Sequence, residues 1–418
     1  LSTLGGSMLG MTLGCARCHD HKYDAVSSRE YYRMLAAFHG GSRTNRRLGD
    51  SDLEALVFAD NGADPATTWL FGRGDFYDRA QQVHLGFMDV VTTDRTPLDY
   101  LEQARSAGPR TDTSYQRAAM AHWITDVEHG AGPLAARVAV NRIWQHHFGE
   151  GLVRSVGDFG VRGDLPTHPE LLEWLTHDFV AHGWQVKRLH RLILTSNAWQ
   201  RSAEFDAAKA AIDPQNHQLW RMVPRRQEAE VLRDSMLVVA DVLNPQQFGP
   251  GFKPPISGEA MIARNLQGEK YPTDATDNPA TLRRSVYMFH KRVIPYPLLQ
   301  AFDRPDSLQS CALRNETIVA PQALALLNDR FVRARAEDFA DRLLNGVAEP
   351  ERIDDQFKSI VQQALLIALG RDGSAMEIEV SLEFLRHQAA ERQSRAKTDD
   401  EKMAATRAAV ADYCQAVF

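Results

Sequence analysis

A mainly α-helical fold is what this sequence predicts, and three observations carry the prediction. From about residue 111 onward, apolar residues recur at helical spacing in one segment after another. Those segments open on capping residues and close on glycines. Strand-like stretches are few, short and largely confined to residues 43–110. With 418 residues, 44% hydrophobic and 24% charged, the chain has the composition of a globular protein of two or three domains. We divide it into a short helical module at 1–42, a β-containing connector at 43–110 and a large helical domain at 111–418.

Residues 1–42 read as two helical stretches. Ser27 or Ser28 caps the second, Glu30 suits its first turn, and Tyr31, Met34, Leu35 and Phe38 share a face. Gly40-Gly41 ends it. In the connector, Glu54 to Phe58 and Thr67 to Phe71 read as strands, separated by Asn61-Gly62 and Asp64-Pro65. Arg73-Gly74-Asp75 has the letters of an adhesion tripeptide, a string short enough to match by chance. Beyond it we expect helices over Ala118 to Val127, Leu134 to Phe148, Pro169 to His182, Leu189 to Trp199 and Arg225 to Leu243. The Pro-, Gly- and Asn-rich stretch 244–281 predicts a long loop, and Arg284 to Phe289 a strand. Helices over Pro321 to Leu344, Glu351 to Leu369, Ala375 to Ala390 and Asp399 to Phe418 complete the series.

Net charge of −6 and the lack of a long basic run argue against nucleic acid as the main partner. No apolar run reaches the roughly 20 residues of a membrane span. A first residue other than Met predicts a piece of a longer polypeptide.

The most specific string is Cys15-Ala-Arg-Cys18-His19, the CxxCH spacing of covalent haem attachment. Two thiols add across the haem vinyl groups and the imidazole binds iron. On a helical turn these three positions share a face, so Cys15, Cys18 and His19 can converge, with His19 the metal ligand. The distal ligand is open: Met34 and His39 are better placed than Met11. Zinc is the first competitor, held by Cys15, Cys18, His19 and His21. A plain dithiol or disulfide, with no cofactor, is the second. His21 and Asp24 either support the His19 ring or cap the turn. Cys311 and Cys414 are distant in sequence, and their pairing is left open.

Other clusters are less specific. His146, His147, His168, His177, His182 and His190 invite a metal or catalytic reading, but ordinary surface or interior roles are the default. Asp158, Arg162 and Asp164 lie in a Gly-punctuated loop whose carboxylates suit glycoside hydrolysis if they converge. Arg225, Arg226, Glu228, Glu230, Arg233 and Asp234 read as a salt-bridged helix face. Arg283 and Arg284, with Arg314, Asn315 and Thr317, suit a basic, anion-binding patch for a sulfated or acidic glycan.

Several strings together resemble one family. Gly14 to Asp24 with Tyr31-Tyr32 is similar to the cytochrome-like domain of the planctomycete cytochrome c-type proteins. Asn141 to Gly149, Asp158 to Gly160, Thr167 to Leu172, Gly183-Trp184, Arg284 to Tyr287 and Val319 to Asp329 resemble the partner domain of unknown function in those proteins. The resemblance implies a secreted or periplasmic protein with covalent haem c, transferring electrons with a redox partner protein. It implies no established reaction, so enzyme activity stays open. The alternative is a non-redox scaffold or glycan-binding protein with a zinc clip or disulfide, or a polysaccharide-active hydrolase.

Overall fold

The structure is a computed structural model that describes residues 1–256, 261, 271–272, 276–307, 310–346 and 353–418. Part of the loop expected at 244–281, and the expected start of a helix at Glu351, lie outside those residues. The fold is mainly α, with only two small antiparallel hairpins among the described residues. No described helix is long and apolar enough to cross a membrane. By packing, the chain forms two compact units, Leu1–Arg225 with Leu308–Leu313, and Arg226–Ser307 with Arg314–Phe418.

The first unit begins with a helical turn at Ser2–Leu4, a π turn at Gly5–Leu9 and a 3₁₀ turn at Leu13–Arg17. Helix α1, Ser28–His39, follows. Its Ser27–Glu30 capping box satisfies donors at the N-terminus, and Tyr32, Met34 and Ala37 turn inward. Strands β1 (Gly41–Arg47) and β2 (Glu54–Asp60) pair from Gly41↔Asp60 to Arg47↔Glu54. Strands β3 (Thr68–Phe71) and β4 (Arg79–Val83) form the second hairpin. Asp60 pins the first hairpin, accepting from Ser114 N–H at 2.8 Å, the Thr113 hydroxyl at 2.8 Å and the Arg117 guanidinium.

Helix α2, Pro97–Ala107, was not expected. Its signal is present in the sequence: Thr96 and Asp99 form a capping box around Pro97 at the first turn. Helices α3 (Gln116–Thr125) and α4 (Gly132–Phe148) then enter the core. Phe87 stacks on Trp123 at 4.9 Å between ring centres, beside Met88 and Tyr100. Helices α5 (Pro169–Ala181) and α6 (Val186–Leu194) pack on α4 around Val140, Trp144, Leu172, Phe179 and Leu189. Fully buried Asn141 donates to Val153 O and accepts from Val153 N–H, both at 2.8 Å. A buried amide bonded on both sides fixes the turn after α4. Ala207–Ile212 forms the short helix α7.

The second unit is built from α8 (Ala229–Val239), α9 (Pro297–Ala301), α10 (Ala320–Asn328), α11 (Arg330–Gly346), α12 (Ile353–Leu369), α13 (Ala375–Gln393) and α14 (Asp399–Val417). Helices α11 to α14 enclose Phe339, Phe357, Ile360, Leu385 and Val410. A second core gathers Met236, Phe252, Met288, Leu299 and Val332.

The strand expected over Arg284 to Phe289 is a 3₁₀ turn, Ser285–Tyr287, flanked by isolated bridges. The Asp234 carboxylate accepts from the Ser285 N–H at 2.8 Å and its hydroxyl at 2.7 Å. Buried Arg233 meanwhile donates to Arg283 O and Thr281 O. These side-chain bonds hold the backbone in place of a neighbouring strand.

Candidate functional site

Cys15 lies in the 3₁₀ turn Leu13–Arg17, Cys18 follows as its C-cap and His19 lies beyond it, so the segment is not the α-helical turn expected. Both thiols are free and exposed, and His19 is exposed beside them.

The His19 Nδ1 atom lies 2.7 Å from Asp20 O. A carbonyl can only accept, so Nδ1 carries the proton and Nε2 presents its lone pair. The donor types suit a covalently held haem: two free, exposed sulfurs and a neighbouring imidazole whose Nε2 is unengaged.

His21 is placed differently. Its Nδ1 accepts from Asp24 N–H at 2.9 Å, and its Nε2 therefore donates to Thr12 Oγ1, also at 2.9 Å. Both ring nitrogens serve the loop, so His21 is engaged away from the four-ligand zinc alternative. Among the described residues, no three His, Cys, Asp or Glu side chains are gathered for a metal ion. Met34 is fully buried in the core, and His39 Nδ1 is hydrogen bonded to Thr68 Oγ1 at 3.0 Å. Neither candidate distal ligand lies unengaged beside His19.

Two outer elements shape the loop. Buried Asp24 accepts from Val161 N–H at 2.8 Å, and Phe159 N–H donates to Gly10 O at 2.6 Å. Gly160 passes so close that a β-carbon there would lie 2.4 Å from the Asp24 carboxylate. Arg162 covers the Tyr23 ring at 5.1 Å. On the other flank, the tip of the β3–β4 hairpin rests on Cys18. A β-carbon at Gly74 (φ +76°) would come within 2.8 Å of Cys18 Sγ. The Arg73-Gly74-Asp75 letters thus form a turn against a thiol. Tyr32 donates to Arg17 O at 2.9 Å, fixing the backbone between the two cysteines. Burial raises the pKa of Tyr31 and Tyr32, with the Arg17 charge acting in the opposite sense.

The other predicted clusters are mostly engaged elsewhere. Asp158 Oδ1 accepts from Gly160 N–H at 2.9 Å, turning its own loop. Asp164 is exposed. His182 bonds Asp178 O, and His168 bonds Thr167 Oγ1. His147 Nε2 meets His190 Nδ1 at 2.7 Å, a pairing that sequence did not show. Burial lowers the His147 pKa, helped by the His190, Arg225 and His146 charges.

In the second unit, Arg283 donates to the carbonyls of Gln246, Phe248 and Pro250. Arg314 pairs with Glu230 at 2.6 Å, and Arg284 stands 4.0 Å from Asp234. The arginines expected to form a basic, anion-binding patch thus make these contacts within the protein. Arg226 pairs with Asp303 at 2.6 Å, and Arg233 is buried beside Asp234. Cys311 is exposed and Cys414 buried; both are free thiols, and burial pushes the Cys414 thiol well above its ordinary range.

Two family models match the chain. Residues 116–385 match "PSD1: Protein of unknown function (DUF1553)", and residues 1–43 match "PSCyt2: Protein of unknown function (DUF1549)". No curated protein and no solved structure matches.

Proposed function

The chain belongs to the PSD1 family, a planctomycete cytochrome c-associated domain of unknown function, and we propose that its Cys15–His19 loop, in the segment that matches PSCyt2, attaches a c-type haem in an extracytoplasmic electron-transfer protein. One observation supports this reading above the others. Cys15 and Cys18 are free and exposed, while the His19 Nδ1–Asp20 O bond leaves Nε2 available as a ligand. Such a group supplies one-electron transfer at its iron.

In this reading, Cys15 and Cys18 would hold the group through thioether links, and the His19 imidazole would be a ligand to its iron. His21, through Thr12 and Asp24 N–H, holds the loop that carries them. Asp24, through Val161, anchors that loop to the PSD1 segment. A redox protein is the partner that such a site would serve, and attachment outside the cytoplasm sets the location.

The test is expression of the full chain with a haem-ligation system. A Soret band, with haem stain surviving denaturation and lost in the Cys15→Ser/Cys18→Ser double variant, is the expected result. His19→Ala should keep the stain while changing the visible spectrum. A colourless purified protein, or stoichiometric zinc without colour, overturns the reading.

A further inference from the structure

Two arginines of the second unit differ from the engaged ones described above. Arg292 and Arg304 line one polar cavity of about 260 Å³ together with Gln300, Asp306 and Ser307. Neither guanidinium forms an ion pair with a described residue. Arg292 is exposed and Arg304 half-buried, so solvent screens the second less than the first. The field of Arg304 reaches its neighbours. The pKa of His290 is lowered by burial and then by Arg304, which also opposes the burial-driven rise at Tyr271.

We propose that this cavity is an oxyanion site, taking the sulfate, phosphate or carboxylate group of a small polar molecule between Arg292 and Arg304. Guanidinium forks match such oxygens with two parallel hydrogen bonds. The Gln300 amide and the Ser307 hydroxyl supply neutral donors on the same walls. Asp306 sets a limit: its carboxylate opposes a highly charged ligand and suits one whose body carries a hydroxyl. The volume lies just below the range of drug-sized sites, so the occupant is an anionic head with a small body. This site is independent of the Cys15–His19 loop and stands or falls separately.

The full chain should be titrated calorimetrically with sodium sulfate, sodium phosphate and sodium acetate at fixed ionic strength, with glucose as the neutral control. Saturable binding of at least one oxyanion, and none of glucose, is expected; which anion binds most tightly identifies the head group. Arg292→Gln and Arg304→Gln should each weaken that binding by about tenfold or more. Arg371→Gln should leave it unchanged, because that guanidinium is held by Glu377 at 2.7 Å. The His290 titration followed by NMR should move to higher pH when the anion binds, since the anion offsets Arg304. If Arg304→Gln fails to fold, exposed Arg292 decides the matter. Absence of saturable binding, or binding indifferent to Arg292→Gln, overturns the proposal.

Discussion

The Asp24 carboxylate accepts the Val161 N–H at 2.8 Å across 137 residues of chain. Arg142 reinforces that junction by donating to Ser7 O at 2.8 Å. The PSCyt2-matched segment and the first part of the PSD1-matched segment, up to Arg225, are therefore built into one compact unit.

That junction can be broken from either side. Gly160→Ala places a methyl against the Asp24 oxygens and should destabilise the first unit by about 1–3 kcal/mol. Asp24→Ala removes the acceptor and should cost a comparable amount, about 1.5–3 kcal/mol. Both variants should speed the reaction of Cys15 and Cys18 with a thiol reagent. Unchanged thiol rates would show that the loop holds its form without the anchor.

Asn141 makes a second prediction, within the α4–α5 layer. Asn141→Leu leaves the Val153 N–H and C=O buried without partners, and should destabilise by about 2–4 kcal/mol in urea denaturation. Asn141→Asp restores only the acceptor, and should fall between the two.

The His147–His190 pair predicts a pH dependence. The lowered His147 pKa means that the folded state favours the neutral ring. Stability is therefore full above the unfolded value of about 6.5 and is lost as pH falls through it toward the lowered folded value. Double protonation would also abolish the 2.7 Å ring-to-ring bond. The urea midpoint should drop between pH 7.5 and 5.5, and His147→Gln should flatten that drop.

Asp126 predicts the behaviour in stronger acid. Burial acts to raise its pKa, but donors from His129, Glu128, Tyr100 and Arg95 win and hold it at about 2, against 3.8 for the free group. Its contribution is present above the unfolded value and disappears as pH falls from about 4 to 2. Asp126→Asn should lower the melting temperature at pH 6 and reduce its further fall between pH 4 and 2.

Much of the helical framework was legible because caps and periodicity are local. Ser27 with Glu30, and Pro169 with Gly183 beyond the helix end, mark their boundaries directly. Thr96-Pro97-Leu98-Asp99 carries an equally local signal, set among strand-like stretches that mask it. Strand β1 carries no such mark, because Ser42 to Arg47 are all exposed and show no alternation of burial. At Arg284 to Phe289, β-favouring residues pointed to a strand, but Asp234, some 51 residues away, captured Ser285. Cys15, Cys18 and His19 stand in one string, so spacing alone picks them out as candidates. The longer-range contacts are not legible in this way, because Asp24–Val161, His147–His190 and Gly74 against Cys18 join positions that no local rule connects.

The hairpin tip resting on Cys18 makes access to that sulfur one-sided. Any reagent, prosthetic group or second thiol must arrive from the flank away from Gly74, so the turn acts as a wall that sets the direction of entry.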